Sequence, residues 1–174
     1  DFDDGSIFHK LARWLLGSSP YRTKDPHFSK PGRILDIGCG KAYLLLEMKK
    51  LIPGLQVAGF DISSHALENA LSPIKEHLFI HSAKDYLPFE TDSFDFAMSL
   101  GCYHNLPLMD LETAFSEISR VSKKQYVMVE SFRNESELFN LQCWALTCES
   151  FLPPEEWQYF ASKNNYLGDF EFIY

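Results

Sequence analysis

Short apolar runs alternate with amphipathic stretches over most of this chain. Runs rich in β-branched and aromatic residues predict five strands, at 33–38, 55–61, 77–82, 94–101 and 124–132. Apolar positions at helical spacing predict helices between them, at 41–52, 63–72 and 110–122, and a further helix that begins at Pro153-Pro154. The alternation of Phe170, Phe172 and Tyr174 predicts one face of a last strand.

This order of strands and helices predicts the fold class. Parallel strands must be joined by crossover connections, and helical crossovers cover both faces of the sheet. Because such crossovers are right-handed, we expect an α/β fold with a doubly wound, mostly parallel sheet and helices on both faces. Ligands of such sheets bind outside the carboxyl ends of the strands, so the residues that follow each strand are the first candidates for function.

We predict a single domain over residues 1–174, in three parts. Residues 1–30 contain a helix at 6–17 and a loop rich in Pro and Ser, and they either close over the ligand as a lid or cover the edge of the sheet. Residues 31–131 form the ligand-binding core, and residues 132–174 form a substrate-side segment. The apolar stretch 136–152 is either an element packed on the fifth strand, or a lid or dimer contact.

Composition narrows the choice of partners and compartment. The net charge of −8 argues against a nucleic-acid surface, because phosphate binding needs clustered Lys and Arg. No run of about eighteen apolar residues is present, so we expect no membrane span. The four cysteines lack the spacing of a CxxC or zinc site, which predicts free thiols in a reducing cytoplasm and no metal. We also expect a monomer or homodimer that acts on a small molecule.

The segment ILDIGCGKAY carries the first candidate chemistry. Gly38 and Gly40 follow the first strand, but a dinucleotide-binding turn would need a third glycine at Tyr43, and the P-loop pattern is absent. Asp36, beside the glycines, would repel a pyrophosphate. Asp61 ends the second strand and suits the two hydroxyls of a ribose. Together these residues indicate a nucleoside with an amino-acid-like tail and no phosphates, a description that S-adenosylmethionine satisfies.

Over about residues 30–131 the chain resembles the class I S-adenosylmethionine-dependent methyltransferases. LDIGCGKAYLL resembles the first motif of that family, GFDIS the second, and HSAKDYLPFETDSFDFAMS the stretch from the third strand to the fourth. The third glycine of the first motif corresponds to Ala42 in this chain. The last antiparallel strand of the family is short or missing here.

The resemblance implies S-adenosyl-L-methionine as the cofactor. Asp61 takes the ribose position, and Ile62 lies beside the adenine. Ser82 meets the adenine edge, or Ala83 does if the register shifts by one residue. The implied cofactor-binding set is Asp36, Gly38, Cys39, Gly40, Asp61, Ile62, Ser82, Ala83, Gly101 and Cys102.

Residues after the fourth and fifth strands are the candidates for the substrate side. His104 is the candidate general base, because an imidazole titrates near neutral pH. The alternative is that His104 bonds to backbone within its loop, since methyl transfer can proceed by positioning alone. Tyr103 is a second catalytic candidate, and its ring suits the sulfonium cation. Tyr103, His104 and Glu130 form the predicted substrate-binding set.

The predicted function is methyl transfer from S-adenosylmethionine to an oxygen, nitrogen or carbon of a small molecule. The alternative is a non-catalytic S-adenosylmethionine-binding sensor or partner subunit.

Overall fold

A computed structural model describes residues 32–174, which form one six-stranded parallel sheet with helices. The strands are β1 (Arg33–Ile37), β2 (Gln56–Asp61), β3 (Leu78–Ile80), β4 (Phe96–Leu100), β5 (Gln125–Glu130) and β6 (Asp169–Ile173). The helices are α1 (Tyr43–Leu51), α2 (Ser64–Glu68), α3 (Ser72–Lys75), α4 (Leu108–Val121), α5 (Glu135–Trp144) and α6 (Pro154–Lys163), with a 3-10 turn at Tyr103–Asn105. The predicted α/β fold class is confirmed. The helix predicted at 6–17 and its loop lie outside the described residues.

The strand order β3-β2-β1-β4-β5-β6 places a reversal of winding at the centre of the sheet. The chain runs outward from β1 to β3, then returns to β4 on the other side of β1 and runs outward again to β6. The loops after β1 and β4 therefore diverge to opposite sides and leave a crevice between them. This crevice positions the candidate site.

Helix α4 shows how the apolar pattern builds the core. Its predicted apolar positions are all buried, at Leu111, Ala114, Phe115, Ile118 and Val121. They pack against the inner residues of β1, β4 and β5 in one hydrophobic cluster. Burial of one large apolar side chain contributes about 1.5–3 kcal/mol, so this single face accounts for much of the driving force that holds α4 on the sheet.

The structure differs from the sequence prediction in two elements. The helix expected at 63–72 is two short helices, α2 and α3, separated by residues 69–71, and Pro73 lies in the first turn of α3, where its missing N–H breaks no helical bond. The last strand pairs parallel to β5, with Tyr126 opposite Asp169 and Glu130 opposite Ile173. Within residues 32–174 every pair of neighbouring strands is parallel.

A buried charge network ties the loop after β3 to α4. The Glu117 carboxylate, 2% exposed, accepts a hydrogen bond from the Leu87 N–H at 2.7 Å and is paired with Arg120 at 2.6 Å. Arg120 also donates to the Phe89 and Leu87 carbonyl oxygens. Burial acts to raise the pKa of the Glu117 carboxyl, but hydrogen bonds from Arg120 and the Leu87 N–H outweigh burial and lower it. The network fixes the loop that begins at His81.

Replacement of Glu117 should therefore destabilise the fold far more than replacement of an exposed glutamate on the same helix. We expect Glu117→Ala to lower the free energy of unfolding by about 3 kcal/mol, because it leaves Arg120 and the Leu87 N–H without their partner. Glu112→Ala, at an exposed position of α4, should cost less than about 0.5 kcal/mol. Urea unfolding followed by circular dichroism measures both, and equal losses would contradict a special role for Glu117.

Candidate functional site

A cavity of about 270 Å³ lies at the carboxyl ends of the central strands. Ligand pockets of proteins typically start near this size. The loops after β1, β2, β3 and β4 all reach it, as expected for the crevice at the reversal of winding. Its lining residues are Gly38, Phe60, Asp61, Ile62, His81, Ser82, Ala83, Gly101, Cys102, Asn105, Leu106 and Thr147.

Asp61 joins the first two strand ends through its carboxylate. One oxygen, Oδ2, accepts the Gly40 N–H at 2.8 Å, and the other, Oδ1, accepts the Ser63 N–H at 2.8 Å. Each carboxylate oxygen has two lone pairs, so both retain the capacity to accept a further proton donor from the cavity. Asp61 is thus held in one orientation by backbone while its remaining lone pairs are available to a ligand.

The turn after β1 is hydrogen-bonded to β2 and packs directly on the loop after β4. The N–H groups of Gly38 and Cys39 both donate to the Phe60 carbonyl oxygen, at 2.9 and 3.0 Å. Gly38 has a φ of +76°, and a Cβ at this position would lie 2.6 Å from the Cβ of Cys102. Only glycine combines this backbone conformation with such a close approach. The side chain of Cys102 therefore packs against Gly38, where the ends of β1 and β4 meet.

Ala42 occupies a backbone conformation that normally favours glycine. Its φ of +55° and ψ of +34° lie in the left-handed region, and the residue is buried immediately before α1. Side-chain-bearing residues pay roughly 1–2 kcal/mol for this conformation. The geometry explains why a glycine is expected at the third position of the first motif, and it shows that alanine is accommodated there with the turn intact.

Asp36 is a buried carboxyl group close to the same turn. It is 4% exposed, and burial, together with the nearby negative charge of Asp61, raises its pKa to about 7. Asp36 is not among the residues that line the cavity. The raised pKa means that the charge state of Asp36 changes near neutral pH.

The predicted cofactor-binding residues separate into two layers. Those that line the cavity are Gly38, Asp61, Ile62, Ser82, Ala83, Gly101 and Cys102. Asp36, Cys39 and Gly40 lie behind this lining. Gly40 contributes through its N–H bond to Asp61, and burial raises the pKa of the Cys39 thiol well above its usual value, so that thiol stays protonated.

The hypothesis that Tyr103 faces the substrate is wrong. Its side chain is fully buried, its hydroxyl donates to the Ala114 carbonyl oxygen at 3.0 Å, and its ring packs edge-on against Phe115 at a centroid distance of 5.2 Å. A large aromatic ring beside an apolar helix gains more by burial than by exposure at a loop. Tyr103 anchors the 3-10 turn to α4 and does not reach the cavity.

His104 and Glu130 face each other and not the cavity, contrary to the expectation for a substrate-binding pair. The Glu130 N–H donates to His104 Nδ1 at 3.2 Å, and His104 Nε2 lies 3.5 Å from Glu130 Oε2. Burial lowers the pKa of His104 to about 4 and raises the pKa of Glu130. A neutral imidazole whose Nδ1 is already occupied is a poor general base. His104 does bond to backbone, but its partner is the Glu130 N–H at the end of β5 and not a group within its own loop, as the alternative expected.

Five residues outside the predicted cofactor-binding and substrate-binding sets also line the cavity: Phe60, His81, Asn105, Leu106 and Thr147. His81 contacts the Tyr86 carbonyl oxygen through Nε2 at 3.1 Å and packs edge-on against Phe60. His81 directly follows β3, so its position after a strand could have identified it as a candidate site residue. Thr147 follows α5 and reaches the cavity only through tertiary packing, which no sequence signal reports.

The lining suits a nucleoside without phosphates. No Lys or Arg is among the described residues that line the cavity, so a phosphate group would find no cation there. Asp61 supplies the acceptor that ribose hydroxyls need, and the glycine turn allows close approach of a ligand to the backbone. These residues fit S-adenosylmethionine. Within residues 32–174, no cluster of three or more His, Cys, Asp and Glu is placed to hold a metal ion.

Comparison with known proteins identifies the family. A family model described as a methyltransferase domain matches residues 34–125, over half of the chain. Mouse mitochondrial arginine-hydroxylase NDUFAF5 is 32% identical over 109 residues, 63% of this chain and 31% of that protein. Malonyl-[acyl-carrier protein] O-methyltransferase of Legionella pneumophila is 30% identical over 94 residues, 52% of this chain and 32% of that protein. The chain thus spans about a third of the length of these curated relatives.

A solved structure of geranyl diphosphate methyltransferase in complex with S-adenosylmethionine has the same fold. It superposes with a TM-score of 0.61 at 16% identity, over 77% of this chain and 57% of that chain. The strand order, the Asp61-anchored turn and the family match agree with one another. The chain therefore belongs to the methyltransferase domain family and has the S-adenosylmethionine-binding fold of class I methyltransferases.

Proposed function

We propose that this protein transfers the methyl group of S-adenosylmethionine to an oxygen, nitrogen or carbon of a small, uncharged acceptor. The observation that carries the proposal is the Asp61 carboxylate, which is fixed by two backbone N–H groups and lines a cavity at the reversal of the sheet. Asp61 would bind the ribose hydroxyls. The backbone at Gly38 and Gly101 would lie along the rest of the donor.

The far side of the cavity supports an uncharged acceptor. Asn105, Leu106 and Thr147 line it, and none of the three carries a charge. Thr147 Oγ1 donates to Asn105 Oδ1 at 2.7 Å, and Asn105 Nδ2 donates to the Gly101 carbonyl oxygen at 3.1 Å. The second Nδ2 hydrogen of Asn105 and the Thr147 oxygen remain able to bind a polar group of the acceptor. We assign the positioning of the acceptor to these two side chains.

When bound, S-adenosylmethionine supplies a methyl group activated by its sulfonium charge. The protein then has to hold the acceptor in line with that methyl group and exclude water. His104 serves this task indirectly, because its carbonyl oxygen accepts the N–H groups of Glu149 and Ser150 and so holds the segment that carries Thr147. We therefore propose His104 as a positioning residue. An acceptor that loses a proton would release it to a group of its own, or to solvent after the transfer.

A non-catalytic or differently reacting S-adenosylmethionine-binding protein is the second candidate. It is favoured by one comparison, since the relative NDUFAF5 is named an arginine-hydroxylase and not a methyltransferase. The neutral lining formed by Asn105, Leu106 and Thr147 favours methyl transfer to an uncharged acceptor over a site for a guanidinium cation.

No helix within residues 32–174 is long and apolar enough to cross a membrane. We further propose a cytoplasmic monomer or homodimer that binds no nucleic acid.

Methyl transfer is tested directly with S-adenosylmethionine that carries an isotopically labelled methyl group. The purified protein is incubated with a panel of phenols, carboxylic acids, amines and an arginine peptide, and the labelled product is identified by mass spectrometry. We expect a labelled, uncharged small acceptor. Binding of S-adenosylhomocysteine by calorimetry with no labelled product from any class would instead support the sensor or partner subunit.

Removal of the Asp61 carboxylate should weaken cofactor binding. We expect Asp61→Ala to raise the dissociation constant of S-adenosylhomocysteine roughly 30- to 140-fold, the equivalent of about 2–3 kcal/mol for hydrogen bonds to a charged group. Asp85→Ala, at an exposed position of the same rim, is the matched control and should bind as the wild type does. Isothermal titration calorimetry measures all three proteins. Equal affinity of the wild type and Asp61→Ala would overturn the ribose assignment.

The raised pKa of Asp36 predicts a pH dependence of donor binding. The bound sulfonium and ammonium cations favour the ionised carboxylate, so affinity should rise with pH up to about 7, the pKa of the free protein, and then level off. We expect wild-type affinity for S-adenosylmethionine to increase roughly five- to tenfold from pH 5.5 to pH 8. Asp36→Asn should bind with little change over this range. A wild-type pH dependence that the Asn variant retains would assign the effect to another group.

A further inference from the structure

A second cavity lies at the opposite end of the sheet, where β1 and β2 begin. Its volume is about 280 Å³, close to that of the cofactor cavity. The residues that line it are Arg33, Lys49, Leu55, Gln56, Val57, Ala58, His77 and Phe94. The proposed methyl transfer assigns no role to the polar side chains in this group.

Basic groups converge on this cavity in a chain whose net charge is −8. Lys49 Nζ is in hydrogen-bond contact with His77 Nε2, and both side chains are half-buried. Because an ammonium group has donors only, the imidazole nitrogen must accept in this contact. Since the imidazole accepts, the Lys49 ammonium carries the charge of this pair, and a half-buried ammonium is favoured when an anion neutralises it. The arrangement therefore indicates a site for negative charge.

The neighbouring carboxylates compensate this charge in part, since the negative charge of Asp95 interacts with Arg33 and Lys123. The Asp95 carboxylate accepts the Arg33 backbone N–H at 2.9 Å and the Lys123 ammonium at 3.0 Å. Glu76 Oε1 lies 3.5 Å from His77 Nε2, but its side chain is 78% exposed. In the part of the chain that the structure describes, no carboxylate forms an ion pair with the side chain of Arg33 or Lys49.

The floor of the cavity is apolar. Leu55, Val57 and Phe94 are each at least nine-tenths buried. The Arg33 guanidinium lies over the Phe94 ring, with Cζ 5.1 Å from the ring centroid. A guanidinium stacked in this way presents its N–H edge to a ligand while its face stays on the ring. A ligand that matches both parts has an oxyanion for the basic rim and a compact apolar body for the floor.

We propose that this cavity binds a small organic oxyanion, a phosphate or carboxylate attached to a compact apolar group. Lys49 and Arg33 hold the oxyanion, and Gln56 offers a further amide donor. The site is separate from the cofactor cavity, because β1 and β2 run from one to the other and no residue lines both. Occupancy of the cofactor cavity should not block it.

The proposal is tested by titration of the full ¹⁵N-labelled chain with phenyl phosphate, benzoate and inorganic phosphate, observed by NMR in a chloride buffer. We expect saturable shifts at the amides of Gln56, Val57 and His77, with and without saturating S-adenosylhomocysteine. Phenyl phosphate should bind more tightly than inorganic phosphate because it also covers the floor, and the comparison with benzoate decides whether phosphate or carboxylate is preferred. These shifts do not depend on methyl transfer, so we expect them even if the protein transfers no methyl group to any acceptor.

Lys49→Gln should raise the dissociation constant of phenyl phosphate roughly tenfold, the loss of one charge-assisted contact. Lys50→Gln is the matched control, since Lys50 is the next residue, is exposed and is paired with Glu47. Circular dichroism checks that both variants fold. The proposal is overturned if wild-type shifts are absent or do not saturate, if they map to the cofactor cavity, or if both variants weaken binding equally.

Discussion

The hydrogen bonds of the Asp61 carboxylate to Gly40 and Ser63 are the interaction on which the candidate site depends. They join the turn after β1 to the end of β2, and two further N–H groups of the same turn donate to the Phe60 carbonyl oxygen. The turn is therefore held by β2 as much as by its own glycines. A carboxylate placed in this way positions the turn and also offers the cavity an acceptor, so one side chain serves both the fold and the ligand.

Electrostatics at the cavity follow from the same pair of acids. Asp36 is buried near Asp61, and the described lining contains no Lys or Arg to offset them. A negatively charged cavity without Lys or Arg favours a ligand with cationic groups and disfavours the phosphates of a dinucleotide. The other end of β1 and β2 has the opposite character, with Arg33 and Lys49 at an apolar cavity. The two ends of the central strands are thus suited to ligands of opposite charge.

Helix and strand periodicity made most of the fold predictable from local sequence. The buried face of α4 and the alternation of strands with helices are local patterns, and both are confirmed. The break at residues 69–71 was missed because the apolar residues of the 63–72 segment keep a helical spacing through it. In the site, Asp61 and Gly38 were predictable because Asp61 ends β2, Gly38 directly follows β1, and the carboxyl ends of parallel strands meet at one edge.

The sequence by itself determined the fold class, the family and the residues at the ends of β1 and β2, because these depend on short-range patterns and on motifs of a few residues. Only the tertiary structure decided which way Tyr103 and His104 turn, since burial against α4 and β5 outweighs their position in a loop after β4. It alone brought Thr147 to Asn105 across 42 positions and Lys49 to His77 across 28. Such contacts arise from the packing of whole elements, which no local pattern encodes.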